Sequence, residues 1–325
     1  MQLDPSPLSR EGMLSVARSQ RVRRHEIART LADAHDGVVT RADLRAAGVT
    51  REQIRAEVER GVWHRAGWHT LSIDGVEPRG RGLWWRALWE SGRHAVLDGA
   101  TALQASGLTG WREDVIHISV PSDGRPRPLA GVQHHHLRWI GGTTGGELRR
   151  TRPAVATVRA AQWAATDRQA ATLVAMSVQQ RLARPDDVLA HWQSVLHTNR
   201  RTLLDAVIRD VCDGAHSMSE LDFAQMCRDR GLPEPSRQVV RTGARGRVYL
   251  DVHWEELGIH VEIQGAQHDS ALAIVDDALR FNSLRLDGDI SSFQVPVLGL
   301  RLCPDKFLDQ IEQAIQREVT RRRVA

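Results

Sequence analysis

The stretch VYLDVHWEELGIHVEIQGAQH, beginning at Val248, limits the possible folds of this chain more tightly than any other. Alternation with period two puts Val248, Leu250, Val252 and Trp254 on one face of a strand and Tyr249, Asp251 and His253 on the other. The pattern then repeats: Ile259, Val261 and Ile263 share an apolar face, and His260, Glu262 and Gln264 a polar one. Glu255, Glu256, Leu257 and Gly258 are left for the turn. An even-length turn centred between Glu256 and Leu257 pairs Trp254 with Ile259, Val252 with Val261 and Asp251 with Glu262. A one-residue slip would turn every apolar side chain to the wrong face, so the pattern selects its own register.

That register opposes two acids whose Cβ atoms stand about 5 Å apart, a destabilising arrangement for like charges. A divalent metal would offset the repulsion. Hard cations such as Mg²⁺ take carboxylate oxygens and are often held by one or two protein acids plus water and phosphate. A solvated polar face on which two acids meet is the alternative.

The chain has 325 residues, enough for two or three domains, and at 41% hydrophobic and 26% charged it builds ordinary cores. It carries no apolar run near the ~20 residues of a membrane span and no signal-peptide pattern, which predicts a soluble, cytoplasmic protein with no membrane partner. Cys212, Cys227 and Cys303 are scattered, odd in number and without CxxC spacing, so they suggest neither a disulfide framework nor a thiolate zinc site. The net charge is only +4, so attraction to an anionic partner must come from local clusters. Lys306 is the only lysine.

Residues 1–24 form a polar arm ending in the basic run RVRRH. Over 25–75 the pattern is that of three short helices and a two-stranded wing. Ile27, Leu31 and Ala34 mark one helix face, Thr40 starts a second helix containing Leu44, and Thr50 with Gln53 gives a capping-box signal for a third. The run VWHRAGWHTLSI reads as two strands turning at Ala66 and Gly67. Together these make a winged helix-turn-helix, which places Arg51, Gln53 and Arg55 on the helix that enters the major groove and Arg65 and His69 on the wing. A winged helix used only for protein contacts is the alternative.

Residues 76–215 read as a mixed, mainly helical middle region, with strands at VIHISVP and GVQHHHLRW. Trp84, Trp85 and Trp89 have core spacing. Of the three adjacent histidines, only His134 and His136 would share a strand face, with no acid or cysteine near them in sequence, so they read as solvated. Over 216–325 the order becomes α, β, β, β, α, β, α, with QVPVLGLRL as the fourth strand. The expected fold class is therefore α/β in the α+β sense.

The residues Glu220, Asp251, Glu262, Gln264, Gly265 and His268, with Arg280 and Asn282 on the helix that follows, resemble the PD-(D/E)xK nuclease superfamily, in the branch similar to very-short-patch-repair endonucleases. The resemblance covers roughly the last hundred residues. With the winged helix, the whole chain resembles bacterial AbiE-type antitoxins of type IV toxin–antitoxin systems joined to such a domain. The resemblance implies Mg²⁺ or Mn²⁺ held by Asp251 and Glu262, with Glu220, Gln264 and His268 completing the catalytic set and DNA as the partner. A departure stands at Gln264, where the family motif usually carries lysine; glutamine cannot act as a general acid or base. Glu220 also has a simpler reading, as the third residue of a capping box begun by Ser217. The rival expectation is a non-catalytic antitoxin or regulator with a cognate toxin as partner. The oligomeric state is not legible.

Overall fold

A computed structural model describes residues 10–146, 148–196, 198–212, 220–242, 248–264, 271–286 and 292–324. Among them are thirteen α-helices and three small sheets, so the chain is a mixed α and β protein. It divides into two units, residues 1–97 with 112–151 and residues 98–111 with 152–325. The stretch 76–215 contributes to both.

The first unit begins with α1 (Arg10–Asp33), β1 (Val38–Thr40), α2 (Arg41–Ala46), α3 (Arg51–Glu59) and β2 (Thr70–Ser72). Their core gathers Ala28, Ala32, Val39, Leu44, Ile54, Trp63 and Leu71. Thr40 caps α2, and Thr50 and Gln53 form the expected capping box at the start of α3. Two details differ from the sequence reading. Ala34 lies past the end of α1 and is exposed; the buried stripe runs through Ala28 and Ala32 instead. The expected first arm of the wing is reduced to one bridge, His64 to Ser72, and on its other edge β2 pairs along its length with β1 (Val38 with Ser72, Thr40 with Thr70). The valines of β1 are fully buried, and pairing with β2 satisfies their backbone there.

The unit continues through α4 (Arg81–Glu90), β3 (Val96–Leu97), β4 (Ile116–Pro121), β5 (Val132–Leu137), β6 (Thr143–Thr144) and β7 (Arg150–Thr151). The last five form one sheet in the order β5-β4-β3-β7-β6. Trp85 is buried, with Trp89 5.0 Å away between ring centroids.

The second unit contains α5 (Gly99–Ala105), α6 (Pro153–Trp163), α7 (Asp167–Gln179), α8 (Pro185–Ser194) and α9 (Arg201–Cys212), followed by α10 (Glu220–Asp229), β8 (Arg237–Thr242), β9 (Val248–Trp254), β10 (Ile259–Gln264), α11 (Ala271–Leu286), β11 (Ser292–Pro296), α12 (Val297–Leu302) and α13 (Pro304–Val324). A buried ion pair, Arg159 Nη1 to Asp98 Oδ2 at 2.6 Å, ties α6 to the N-terminus of α5 across 61 positions of sequence. The sheet order is β11-β10-β9-β8, parallel between β10 and β11 and antiparallel elsewhere. The hairpin has the register that alternation predicts: Trp254 opposes Ile259, Val252 opposes Val261 and Asp251 opposes Glu262. A 3₁₀ turn, Glu255–Leu257, closes it, and Gly258 takes the left-handed conformation (φ 67°) that favours glycine. Leu250, Val252, Trp254, Ile259, Val261 and Ile263 are all buried on the apolar face.

The expected fourth strand is shorter than the sequence suggests. It ends at Pro296, and Val297–Leu302 turns helical instead of continuing to Leu302. Pro296 lies opposite Gln264 and is the N-cap of the helix that follows, in which the backbone bonds within itself. On the other side of β11, Asn282 acts as a one-residue strand. Its Oδ1 accepts from the Gln294 N–H at 2.9 Å and its Nδ2 donates to the Gln294 carbonyl at 2.8 Å.

Candidate functional site

In the first unit, the Trp68–Thr70 segment is pinned by one carboxylate. Glu90 accepts from the backbone N–H groups of Trp68 (3.0 Å), His69 (2.7 Å) and Thr70 (2.8 Å) and from the Thr70 hydroxyl (2.7 Å). Gly67 leaves room for that carboxylate, since a Cβ there would collide with Glu90 Oε1. The pinned segment faces α2 and α3 across a cavity of about 520 Å³ lined by Arg41, Arg45, Arg51, Trp68 and His69. Trp68 is 55% exposed, with the Arg127 guanidinium 4.2 Å and that of Arg65 5.7 Å from its ring centroid. Burial and the charge of Arg65 lower the Arg41 pKa, with Glu90 opposing them. The result is a cationic cleft with an aromatic wall, suited to an anionic ligand that carries a ring.

Of the residues expected to touch DNA, Arg51 and His69 line this cleft, and Arg65 flanks it through Trp68. Arg55 lies on the exposed side of α3, 3.2 Å from Glu59, which offsets its charge. The Gln53 side chain is engaged in the capping box, its Oε1 accepting from the Thr50 N–H at 3.0 Å. Arg41, Arg45, Trp68 and Arg127 join the group without having been singled out in the sequence. The i, i+4 spacing of Arg41 and Arg45 on α2 is the signal that would have found two of them.

The second site lies on the polar face of the four-stranded sheet. The register that opposes Asp251 to Glu262 also opposes His253 to His260. The two imidazoles stack, with centroids 4.4 Å apart and planes inclined by 20°. His260 Nε2 stands 3.5 Å from Asp251 Oδ1, and its Nδ1 faces the Ser292 hydroxyl at 3.4 Å. Ligand atoms of Asp251, His253 and His260 all lie within 4.8 Å of one another, the group of three metal-type ligands found among the described residues. Asp251 is buried at 7% exposure, and the histidines are half-buried.

The sequence reading assigned the metal to Asp251 and Glu262; the gathered group keeps Asp251 and adds two imidazoles. Glu262 stands opposite Asp251 with its Oε1 3.4 Å from Gln264 Nε2. Nothing hid the histidines, since the same alternation put both on the polar face, but a search for hard oxygen ligands passes over nitrogen. Glu220 is the first residue of α10. His268, Gly265 and the Ser217 of the alternative capping box lie outside the described residues. Arg280 pairs with Asp277 on exposed helix surface, and Asn282 is taken up by the backbone of β11.

The three adjacent histidines behave differently. His134 Nε2 lies 2.8 Å from the Ser91 hydroxyl, burial and the charge of His136 lower its pKa, and His135 Nε2 meets His117 Nδ1 at 2.9 Å. His134 and His135 are thus half-buried partners of their neighbours, whereas His136 is exposed as expected. The chain matches no protein-family model and no curated protein. No described helix is long and apolar enough to cross a membrane.

Proposed function

We propose that the chain is a DNA-binding protein in which an N-terminal winged helix brings a C-terminal, metal-dependent endonuclease-like domain of the PD-(D/E)xK type to its substrate. The observation that carries this reading is the sheet face of the second unit. Asp251 and Glu262 oppose each other on the two central strands of an α-β-β-β-α-β arrangement, with nitrogen ligands gathered beside them. A divalent ion bound there would polarise a scissile phosphate and lower the pKa of an attacking water. Asp251 would hold that ion, Glu262 would orient water from across the hairpin, and Gln264 would fix the Glu262 carboxylate through its amide. The cleft of Arg41, Arg45, Arg51 and Trp68 supports nucleic acid as the partner, since guanidinium groups bind phosphate oxygens and an indole face stacks on a base.

One observation favours the rival reading, a non-catalytic antitoxin or regulator that binds an operator and a cognate toxin. The position of the usual lysine holds Gln264, and the chain's single lysine, Lys306, sits in the first turn of α13. Incubating the full chain with supercoiled and linear DNA in Mn²⁺, Mg²⁺ or EDTA separates the two. Nicking that needs metal and disappears in Asp251→Ala, with DNA affinity retained, is the expected result; intact binding with no cleavage in any metal would leave the regulator. In the same assays Arg51→Ala should weaken binding to all sequences and flatten the slope of log K against log salt by about 0.9.

A further inference from the structure

The geometry points to a binding site for a borderline transition dication, of the Mn²⁺, Co²⁺ and Zn²⁺ class, built from Asp251, His253 and His260, with Glu262 outside the ligand set. This deepens the reading of the sheet face as a metal centre but does not depend on hydrolysis. Three features carry it. The donor set is one carboxylate and two imidazoles, and imidazole suits Zn²⁺ and its neighbours, whereas Mg²⁺ asks for oxygen ligands in near-octahedral geometry. The three ligands come from adjacent β-strands, Asp251 and His253 two apart on β9 and His260 directly across on β10, so the ladder fixes their Cα positions before any ion arrives. His260 is also oriented: the Ser292 hydroxyl faces Nδ1, which directs Nε2 toward Asp251, the arrangement by which ligating histidines are usually held.

The fit is near but not closed. With metal–ligand bonds of about 2.1 Å, two atoms on one tetrahedral ion stand about 3.4 Å apart. His260 Nε2 and Asp251 Oδ1, at 3.5 Å, already stand at that spacing, and the whole group, within 4.8 Å, would close on the ion by side-chain rotation about positions the ladder fixes. One side of the ion would remain for water or a phosphate oxygen, as in sites that do chemistry.

The test titrates the full-length, chelator-stripped protein with Co²⁺ alone, reading the ligand-field absorption and the stoichiometry. We expect one equivalent per chain, resistance to excess Mg²⁺, and a loss of at least about tenfold in affinity in His253→Gln and in His260→Gln, with Glu262→Gln unchanged. Histidine modification of the wild type with and without Zn²⁺, mapped by mass spectrometry, asks the same question without a variant: protection should fall on His253 and His260. Equal Co²⁺ affinity in the wild type and both histidine variants, or no protection at either histidine, would overturn the site. Cobalt binding without DNA cleavage in any metal would leave this site standing and remove the nuclease. Cleavage in Mg²⁺ without cobalt binding would do the reverse.

Discussion

Glu57 and Asp251 are both acids sunk into their units, at 0% and 7% exposure, and their surroundings are of opposite kinds. Glu57 projects from α3 toward α1 into a ring of three arginines and a histidine. Arg24 Nη2 lies 2.6 Å from one oxygen, Arg21 Nη2 3.0 Å and His25 Nε2 3.2 Å from the other, and Arg60 closes at 3.5 Å. Burial alone would raise its pKa, but the hydrogen bonds from Arg24, Arg21 and His25 outweigh it and hold the carboxyl at about 2. Beside Asp251 stand two imidazoles, with a second carboxylate across the hairpin. The first environment neutralises a charge and anchors α1 to α3. The second gathers groups that can share an ion. Burial of an acid therefore does not mark function; the character of the neighbours does.

The contrast is open to attack from its structural side first. Glu57→Gln leaves several cations facing a neutral amide, and it should destabilise the first unit by about 3 kcal/mol, seen as a lower denaturant midpoint, with Co²⁺ binding unaffected. Because the folded-state pKa of Glu57 lies below its ordinary 4.5, the stability it contributes is fully present above that pH and is lost as pH falls toward 2. The acid limb of the wild-type stability profile should accordingly flatten in Glu57→Gln. An unchanged limb would show that the cation ring does not control acid stability. Next in size is Asn282→Ala, which strips Gln294 of two backbone partners in a nearly closed environment and should cost about 2 kcal/mol in the second unit. If the Asp251 face is built for an ion, added Co²⁺ should recover part of that loss by binding only the folded form.

Much of this was legible in the chain itself, and the rest has physical reasons for being hidden. The hairpin register followed from period-two alternation because only one pairing buries Val252, Val261 and their neighbours together. The Thr50 capping box was legible because a cap is a local event three residues long. The pairing of β1 with β2, residues about thirty apart, has no local signature. Nor does the division of the middle of the chain between two units, where Asp98 finds Arg159 across 61 positions. The conversion of Val297–Leu302 into a helix was hidden for a different reason: its apolar run suits strand or helix equally, and periodicity alone does not decide. At the site, the register gave the positions of His253 and His260 on the polar face beside Asp251, whereas the 3.5 Å approach of His260 Nε2 to Asp251 Oδ1 depends on how the ring turns.

The smallest expected effect probes the contrast most directly. If Asp251 and Glu262 meet as like charges held together by the hairpin, each destabilises the other by roughly 0.2–1 kcal/mol. Glu262→Gln keeps the shape and an Oε1 to accept from Gln264 but removes the charge, so the metal-free second unit should become more stable by about 0.5 kcal/mol. Thermal unfolding in EDTA should then shift upward by about 1–2 °C. Repeating the melt with Co²⁺ separates two roles for Glu262. Equal stabilisation of wild type and variant places it outside the ligand set, whereas a smaller gain in the variant makes it a ligand after all. A fall in stability without metal would show that Glu262, like Glu57, is held by a cation, and the distinction between the two buried acids would then rest on the histidines alone.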